Sequence, residues 1–164
     1  MKKLYLLIVL LTFQISFCQE ESTEIILNYN YPSGYENLEI NLDRKIDSTK
    51  VTIDSKKILE YFYSKEQERK VTETVKRNYY ISNTIFDNLL KQIKTISESE
   101  LNKNIVVIDN GKITTLKVKN HNINLYYEVI ALNMENNKGE LKKFLDVCVK
   151  ILGIGNFKPE NYFN

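Results

Sequence analysis

The chain has 164 residues, with 23 basic and 21 acidic side chains and a net charge of +2. Both excess positive charges belong to Lys2 and Lys3, so the chain beyond residue 18 carries 21 charges of each sign. No basic excess remains there to bind phosphate groups, and we therefore do not expect nucleic acid or an acidic membrane surface as the partner.

The N-terminal segment has the three-part pattern of a secretory signal peptide. Its start is positive, and Leu4 to Phe13 is almost entirely apolar. Ser16 and Cys18 then place small residues three and one positions before a cleavage site ahead of Gln19. The apolar run is shorter than the roughly 20 residues of a transmembrane helix. We therefore expect residues 1–18 to be removed and the protein to be exported, to the periplasm or out of the cell.

Cys18 permits a second interpretation of the same segment. Ile15 to Cys18 is similar to a bacterial lipobox, in which the cysteine is lipidated and becomes the first residue of a membrane-anchored lipoprotein. Phe17 departs from that motif, which has a small residue at this position. We therefore rank a lipid anchor at Cys18 below simple cleavage. Under either interpretation the mature chain has no transmembrane segment.

The chain beyond the signal has the size of a single domain. Residues 19–164 number 146, and a domain of this size buries about 68–70% of the surface of its unfolded chain. Cys148 is the only cysteine in this range, which excludes an internal disulfide. A core rather than a disulfide framework must therefore hold the domain together.

Alternating apolar and polar residues open the domain. Ile25 to Tyr31 and Leu38 to Leu42 place apolar side chains at every second position, which predicts two strands that each have one buried face. Between them, Pro32 and Gly34 suit the second and fourth positions of a turn. The two strands are therefore expected to form a hairpin.

The next segment is rich in residues that favour strands but alternates poorly. Val51 to Ile53 predicts a short strand, which we expect Asp54-Ser55 to break. Ile58 to Tyr63 also fits a helical stripe, but the strand-forming residues from Val71 to Ile81 favour a strand there. Ser64 to Arg69 would then be the loop of a second hairpin.

A helix follows, for which Ser82 or Asn83 is a suitable N-cap. Its apolar residues recur at three- and four-residue spacing and are Phe86, Leu89, Leu90, Ile93 and Ile96. This stripe must be buried, and the sheet is the large apolar surface that the sequence offers. The polar residues 97–104 lead out of the helix.

Ile105 to Ala131 predicts a three-stranded antiparallel meander. Ile105 to Ile108 would be its first strand, followed by a turn at Asp109-Asn110-Gly111 and a second strand that ends near Val118. The third strand has two faces: Ile123, Leu125, Tyr127 and Val129 on one, and Asn124, Tyr126 and Glu128 on the other. A one-residue slip in register would exchange these faces.

The last part of the domain predicts a second helix. Asn137 and Glu140 resemble a capping box, and an apolar stripe from Leu141 to Leu152 follows, with Cys148 inside it. We expect Gly153 to end the helix. Three aromatic residues in the tail, Phe157, Tyr162 and Phe163, are expected to fold back on the domain.

No residue pattern predicts catalysis, a metal site or a cofactor. His121 is the only histidine and lies in an Asn-flanked turn, so we interpret it as a surface residue and not as a catalytic base. A single His and a single Cys make a zinc site improbable. The glycines of Gly153-Ile154-Gly155 follow a helix, whereas a nucleotide-binding glycine loop follows a strand. Glu98 and Glu100 lie in a polar segment, which we interpret as solvated.

Tyrosine is the one residue type whose abundance suggests a function, with 11 in the chain. Tyrosine suits half-buried strands, and that interpretation is the stronger one. It also suits recognition surfaces, because it offers contact area and a hydroxyl at a low cost in entropy. For a ligand or partner face we single out Tyr61, Tyr63 and Tyr126.

We predict an α+β domain with an antiparallel sheet of about six to eight strands and two amphipathic helices packed on one face. Its order of elements is similar to that of small exported bacterial α+β domains, a likeness that implies no function. We expect a non-enzymatic binding or interaction module of the bacterial envelope, with a protein or a small ligand as partner and no cofactor. The alternative is a small secreted hydrolase whose carboxylates come together only in the fold.

Overall fold

The computed structural model describes residues 22–31, 36–63, 68–102, 111–135 and 138–163. The predicted signal peptide with Cys18, the predicted strand at Ile105 to Ile108 and the cap residue Asn137 lie outside the described residues. Within the described residues, the chain forms one antiparallel sheet with helices on one side.

The elements of the described chain run in the order ββββααββα. The strands are β1 (Thr23–Asn30), β2 (Glu36–Arg44), β3 (Thr49–Tyr63), β4 (Glu68–Ile81), β5 (Ile113–Lys119) and β6 (Asn124–Ile130). The helices are α1 (Asn83–Ile93), α2 (Glu98–Asn102) and α3 (Gly139–Ile154), with a 3-10 turn at Pro159–Asn161.

The sheet has the strand order β4-β3-β2-β1-β5-β6, and every neighbouring pair is antiparallel. Strands β1 to β4 follow one another as hairpins, whereas β5 pairs with the free side of β1. The chain therefore leaves the sheet at β4, passes through α1 and α2, and returns beside β1. This architecture confirms the predicted α+β fold, with six strands among the described residues.

The predicted break at Asp54 and Ser55 is wrong, because β3 runs continuously from Thr49 to Tyr63. Asp54 points away from the helices, and its carboxylate lies 3.0 Å from the ammonium of Lys76 on β4. Ser55 points to the core side and is buried opposite Leu38. Each polar residue therefore occupies the side that strand alternation assigns to it, and the strand continues.

Strands β3 and β4 extend beyond the rest of the sheet. β2 begins at Glu36, which pairs with Lys57. In the described chain, residues 58–63 of β3 pair only with residues 68–72 of β4. The register shifts at Leu59, as in a β-bulge. We call this two-stranded extension the arm.

One face of the sheet and the helices enclose the core. Strand residues with buried side chains on this face include Ile25, Leu27, Tyr29, Leu38, Ile40, Leu42, Val51, Ile53, Leu116, Val118, Tyr127 and Val129. Helix residues that pack against them are Phe86, Leu89 and Ile93 of α1 and Phe144, Leu145, Val147, Cys148, Ile151 and Leu152 of α3. Both predicted helices therefore cover one face, and Cys148 is a core residue, as predicted.

The start of α1 is fixed to the turn between β2 and β3. Ser82 is the N-cap, as predicted, and its hydroxyl accepts a backbone N–H bond in the first turn. The amide of the next residue, Asn83, donates to the carbonyls of Lys45 at 3.0 Å and Ile46 at 2.9 Å. Its oxygen accepts the hydroxyl of Thr49 at 2.8 Å. One side chain thus joins the helix to both sides of the turn.

The start of α3 differs from the predicted capping box. Lys138 is the N-cap residue and makes no side-chain cap bond. The carboxylate of Glu140 instead accepts the backbone N–H of Ser97 at 2.8 Å. Glu140 therefore joins α3 to the segment before α2. Within α2 itself, buried Leu101 anchors this short helix to the core.

The end of α3 lies two residues later than predicted. Gly153 is part of the helix, and Gly155 is the C-cap. A Cβ atom at position 155 would approach the side chains of Ile40 and Phe157 to 2.8 Å. Position 155 is therefore packed closely against β2 and the tail, which leaves little room for a side chain there.

The C-terminal tail folds back on the core, as predicted. Tyr162 and Phe163 are buried, and Phe157 is half-buried. The ring of Tyr162 meets that of Tyr29 edge-on, with the centroids 5.0 Å apart. The backbone N–H of Met134 donates to the carbonyl of Phe163 at 2.7 Å. The tail therefore closes the core near the end of β1.

Tyrosines that pack on the core differ in how their hydroxyl groups are satisfied. The hydroxyl of Tyr29 is buried and has no hydrogen-bond partner in the described part of the chain. The hydroxyl of Tyr79 donates to the carbonyl of Ile154. Burial raises the pKa of both phenols, and it raises the pKa of Tyr162 to about 12. The fold therefore favours the neutral phenols, and an unpaired hydroxyl at Tyr29 costs stability.

We predict opposite effects for two Tyr→Phe substitutions. Tyr29→Phe removes the unpaired hydroxyl and should raise the free energy of unfolding by about 1 kcal/mol, whereas Tyr79→Phe removes a bonded hydroxyl and should lower it by a similar amount. Urea titration of both variants at neutral pH measures the difference. Equal effects of the two substitutions would contradict the assigned bonding.

The same tyrosines predict a loss of stability in alkali. A folded-state pKa above the ordinary value of 10.0 means that the stabilisation is complete below about pH 10 and is lost as the pH rises through the folded pKa. Urea titrations between neutral pH and pH 12 should therefore show a falling free energy of unfolding above about pH 10. Tyr29→Phe should reduce this loss, because one of the responsible phenols is gone.

Candidate functional site

The side of the sheet that points away from the helices is the open face. At its β6 end, side chains form two rows that cross β6, β5 and β1. The first row is Tyr126, Lys117 and Ile26, and the second is Glu128, Thr115 and Asn28. Neighbours in a row have Cβ atoms about 5 Å apart. An aromatic ring, an ammonium, a carboxylate and an amide therefore lie within reach of one ligand.

The register of β6 determines which tyrosine faces solvent. Tyr127 and Val129 are buried in the core, whereas Tyr126 is 47% exposed on the open face. Asn124 and Glu128 are exposed on the same side as Tyr126. The faces predicted for this strand are therefore confirmed.

Tyr126 is held by both of its polar neighbours. Its hydroxyl donates to Oε2 of Glu128 at 2.5 Å, and this hydrogen bond is the main cause that raises the pKa of the phenol. The ammonium of Lys117 lies 5.3 Å from the ring centroid, within the range of a cation–π contact. The ring is thus oriented before any ligand arrives, which reduces the entropy lost on binding.

The inner part of the open face contains an unpaired acceptor. Asn41 lies on β2 opposite Ile26, and its Oδ1 atom is buried and accepts no hydrogen bond from any described residue. Thr115, which lies two strands away on β5, is only 6% exposed. A donor group that reached Asn41 would satisfy an acceptor that is otherwise buried without a partner.

The three tyrosines predicted for a partner face do not lie together. Tyr61 and Tyr63 lie in the arm, where they pair with Lys70 and Glu68 of β4. Tyr126 lies on β6, four strand spacings from β3, which is about 19 Å. One ligand of small size cannot contact both groups, and Tyr126 alone of the three belongs to the rows on the open face.

Sequence reasoning missed Lys117 as a partner of Tyr126. The feature of the sequence that could have predicted this contact is the length of the turn between β5 and β6. In this turn, the Asn120 side chain accepts the N–H groups of Asn122 at 2.8 Å and Ile123 at 2.6 Å. This turn sets the register that places Lys117 opposite Tyr126. The turn was visible in the sequence, but its conformation was not.

Groups considered for catalysis lie apart from one another. His121 is exposed in the β5–β6 turn, and Cys148 is fully buried in α3, where burial raises the pKa of its thiol. Glu98 and Glu100 are exposed at α2. Among the described residues, no group of three or more His, Cys, Asp or Glu side chains is arranged to hold a metal ion.

A facing pair of carboxylates occurs on the open face. Glu39 on β2 lies directly opposite Asp54 on β3, and both side chains are exposed. Asp54 already pairs with Lys76. Carboxylates that perform glycoside hydrolysis flank a bound substrate in a cleft, whereas these two stand in solvent on a sheet face. The pair is therefore arranged as part of a charged surface.

The sequence matches no known protein-family model, and a search of curated proteins finds no relative. In the part of the chain that the structure describes, no helix is both long enough and apolar enough to cross a bilayer.

We predict that Glu128 sets the titration of Tyr126. Glu128→Gln removes the charge on the acceptor, so the pKa of the Tyr126 phenol should fall toward its ordinary value of 10.0. The tyrosine 13Cζ chemical shift, assigned with Tyr126→Phe, reports this titration. Glu39→Gln on the same face is the matched control and should leave the pKa of Tyr126 unchanged.

Proposed function

We propose that this chain is an exported protein of the bacterial envelope that binds a partner protein on the open face and performs no catalysis. The observation that carries the proposal is the asymmetry of the sheet. Helices and the tail cover one face, while the other presents a fixed aromatic ring among charged and amide groups. The export pattern of residues 1–18 and the neutral charge of the remaining chain support this assignment.

The shape of the open face favours a protein over a small molecule. Six strands span about 24 Å. Small-molecule sites are concave and enclose most of the ligand, whereas protein partners bury about 800 Å² on each side across broader surfaces. Exposed Tyr126 supplies an aromatic anchor of the kind enriched in such interfaces.

We predict that Tyr126 is required for partner capture and that Tyr80 is not. Both are exposed tyrosines on the open face, but Tyr80 lies on β4 at the opposite edge and is 67% exposed. The tagged wild type, Tyr126→Ala and Tyr80→Ala are incubated with envelope extract of the native host, and the captured proteins are quantified. A specific partner should be retained by Tyr80→Ala and reduced about tenfold or more by Tyr126→Ala, as for an interface anchor.

The control for this experiment is the stability of the variants. Both positions are exposed residues on strands, so each substitution should lower the free energy of unfolding by only about 1 kcal/mol, which leaves both variants folded. A partner that is captured equally by all three proteins would contradict binding at Tyr126. Loss of capture in both variants would mean that the contact extends across the face from β6 to β4, which contradicts the prediction that Tyr80 is not required.

Export is tested by the mass of the mature protein. Expression of the complete chain in a bacterial host should yield a protein that begins at Gln19, found in the periplasm or the medium. A diacylglyceryl mass on a chain that begins at Cys18 would instead establish the lipid anchor. Retention of residues 1–18 in the cytoplasm would contradict both forms of export.

A further inference from the structure

Strand β4 forms one edge of the sheet and is unusually long for an edge. It has 14 residues, whereas strands have about 5–6 residues on average. Its outer backbone edge pairs with no described strand. Proteins usually shorten or cover such an edge, because unpaired N–H and C=O groups accept further strands. The long edge of β4, which is unpaired within the described strands, therefore offers a site for pairing with another chain.

In the described part of the sheet, no third strand supports the arm. Beyond Lys57, β3 and β4 form a ribbon of two strands among the described residues. An isolated two-stranded ribbon is at best marginally stable in water. The side chains of Leu59 and Val71 on this ribbon are 52% and 44% exposed. A third strand beside β4 would stabilise the arm and cover part of this apolar surface.

We propose that the third strand is β4 of a second copy of this chain, paired antiparallel about a two-fold axis at Val75. This register places Glu73 of each copy opposite Arg77 of the other, so two charge pairs form at once. It also places Val71 opposite the half-buried Tyr79. The arm of each copy then lies against the body of the other, and the two sheets join into one.

The two neighbouring registers of the same parity lack this complementarity. A shift of the axis to Lys76 places that lysine opposite its own copy. A shift to Thr74 leaves Glu73 and Arg77 opposite valines. If the two-fold axis lay between two residues, each residue on the core side of one β4 would lie opposite a residue on the open face of the other. Strand alternation forbids this pairing in a continuous sheet. Of the registers centred on Thr74, Val75 and Lys76, only the one at Val75 places opposite charges face to face.

The same charges discriminate against other strands. Glu73 and Arg77 lie on the core side of β4, as shown by their register with Lys57 and Ile53, and both are exposed. Charges on this side oppose pairing with a strand that offers no counter-charge. A second copy supplies both counter-charges, so the edge of β4 favours pairing with another copy of the same chain.

Charge reversal tests the proposal. Sedimentation velocity over a range of concentrations should show dimers for the wild type. Glu73→Arg alone places Arg opposite Arg, and Arg77→Glu alone places Glu opposite Glu. Each should weaken dimerisation by about tenfold, because two symmetric sites change from attraction to repulsion. The double variant Glu73→Arg/Arg77→Glu should restore it.

Mixing the two single variants provides a more specific test of the charge pairing. In the mixture, every Arg at the interface faces a Glu of the other variant, so heterodimers should form although each variant alone is mainly monomeric. Circular dichroism of the variants should match the wild type, because both positions are exposed. A wild type that remains monomeric throughout, or single variants that dimerise as well as the wild type, would overturn the proposal.

A cysteine on the axis tests the register. Val75→Cys should form an intermolecular disulfide under mild air oxidation, since directly opposite Cα atoms lie about 4.5–5.5 Å apart. Asn78→Cys is the matched control on the same strand. In this register position 78 lies opposite Thr72 of the other copy, so it should not cross-link. Equal cross-linking of the two variants, or none with Val75→Cys, would contradict the register.

Discussion

The period-two alternation of side chains is the constraint on which this structure depends. Each strand must place its apolar residues on one side, and the cross-strand registers bring these sides into a single surface. The rows that contain Ile25, Leu27 and Tyr29 show this from β2 through β6. Helices α1 and α3 can cover only one such surface. The alternation therefore determines both the core and the set of side chains that lie on the open face.

Periodicity was sufficient to predict elements whose main apolar residues lie on one side. The alternation of β1, β2 and β6 and the stripes of α1 and α3 were read correctly from the sequence. The continuity of β3 was not, because Asp54 and Ser55 have a low preference for strands. Their positions are stabilised by Lys76 on another strand and by burial beside Leu38. These contacts join residues that are distant in sequence, so the local sequence pattern cannot predict them.

The candidate site was only partly predictable for a related reason. The side of Tyr126 followed from alternation along its own strand. Its separation from Tyr61 and Tyr63 depended on the strand order, in which β5 joins β1 and not its sequence neighbour β4. The contact with Lys117 depended on the register of a turn. Composition indicated tyrosine as a recognition residue, but only the fold decides which tyrosines are neighbours.

Adjacent tyrosines connect the core to the exposed surfaces. In Tyr126-Tyr127 the second residue is buried and donates its hydroxyl to the carbonyl of Ile96 at 3.3 Å, while the first faces solvent. In Tyr79-Tyr80 the first is anchored to the end of α3 and the second is exposed. An exposed ring that directly follows or precedes an anchored one has little freedom to move along the strand. The anchoring of Tyr127 and Tyr79 therefore fixes the positions of the exposed rings of Tyr126 and Tyr80.

The pairing of β1 with β5 has a consequence for the folding of the newly made chain. β1 lies in the middle of the sheet, yet the strand that fills one of its sides comes much later, and the bond from Asn120 to Thr23 joins residues 97 apart. During synthesis the hairpins of β1 to β4 can form first, with one edge of the apolar strand β1 still unpaired. That edge is open to wrong partners until residues 113–119 emerge. The interval between these two strands is when the chain most needs protection from aggregation.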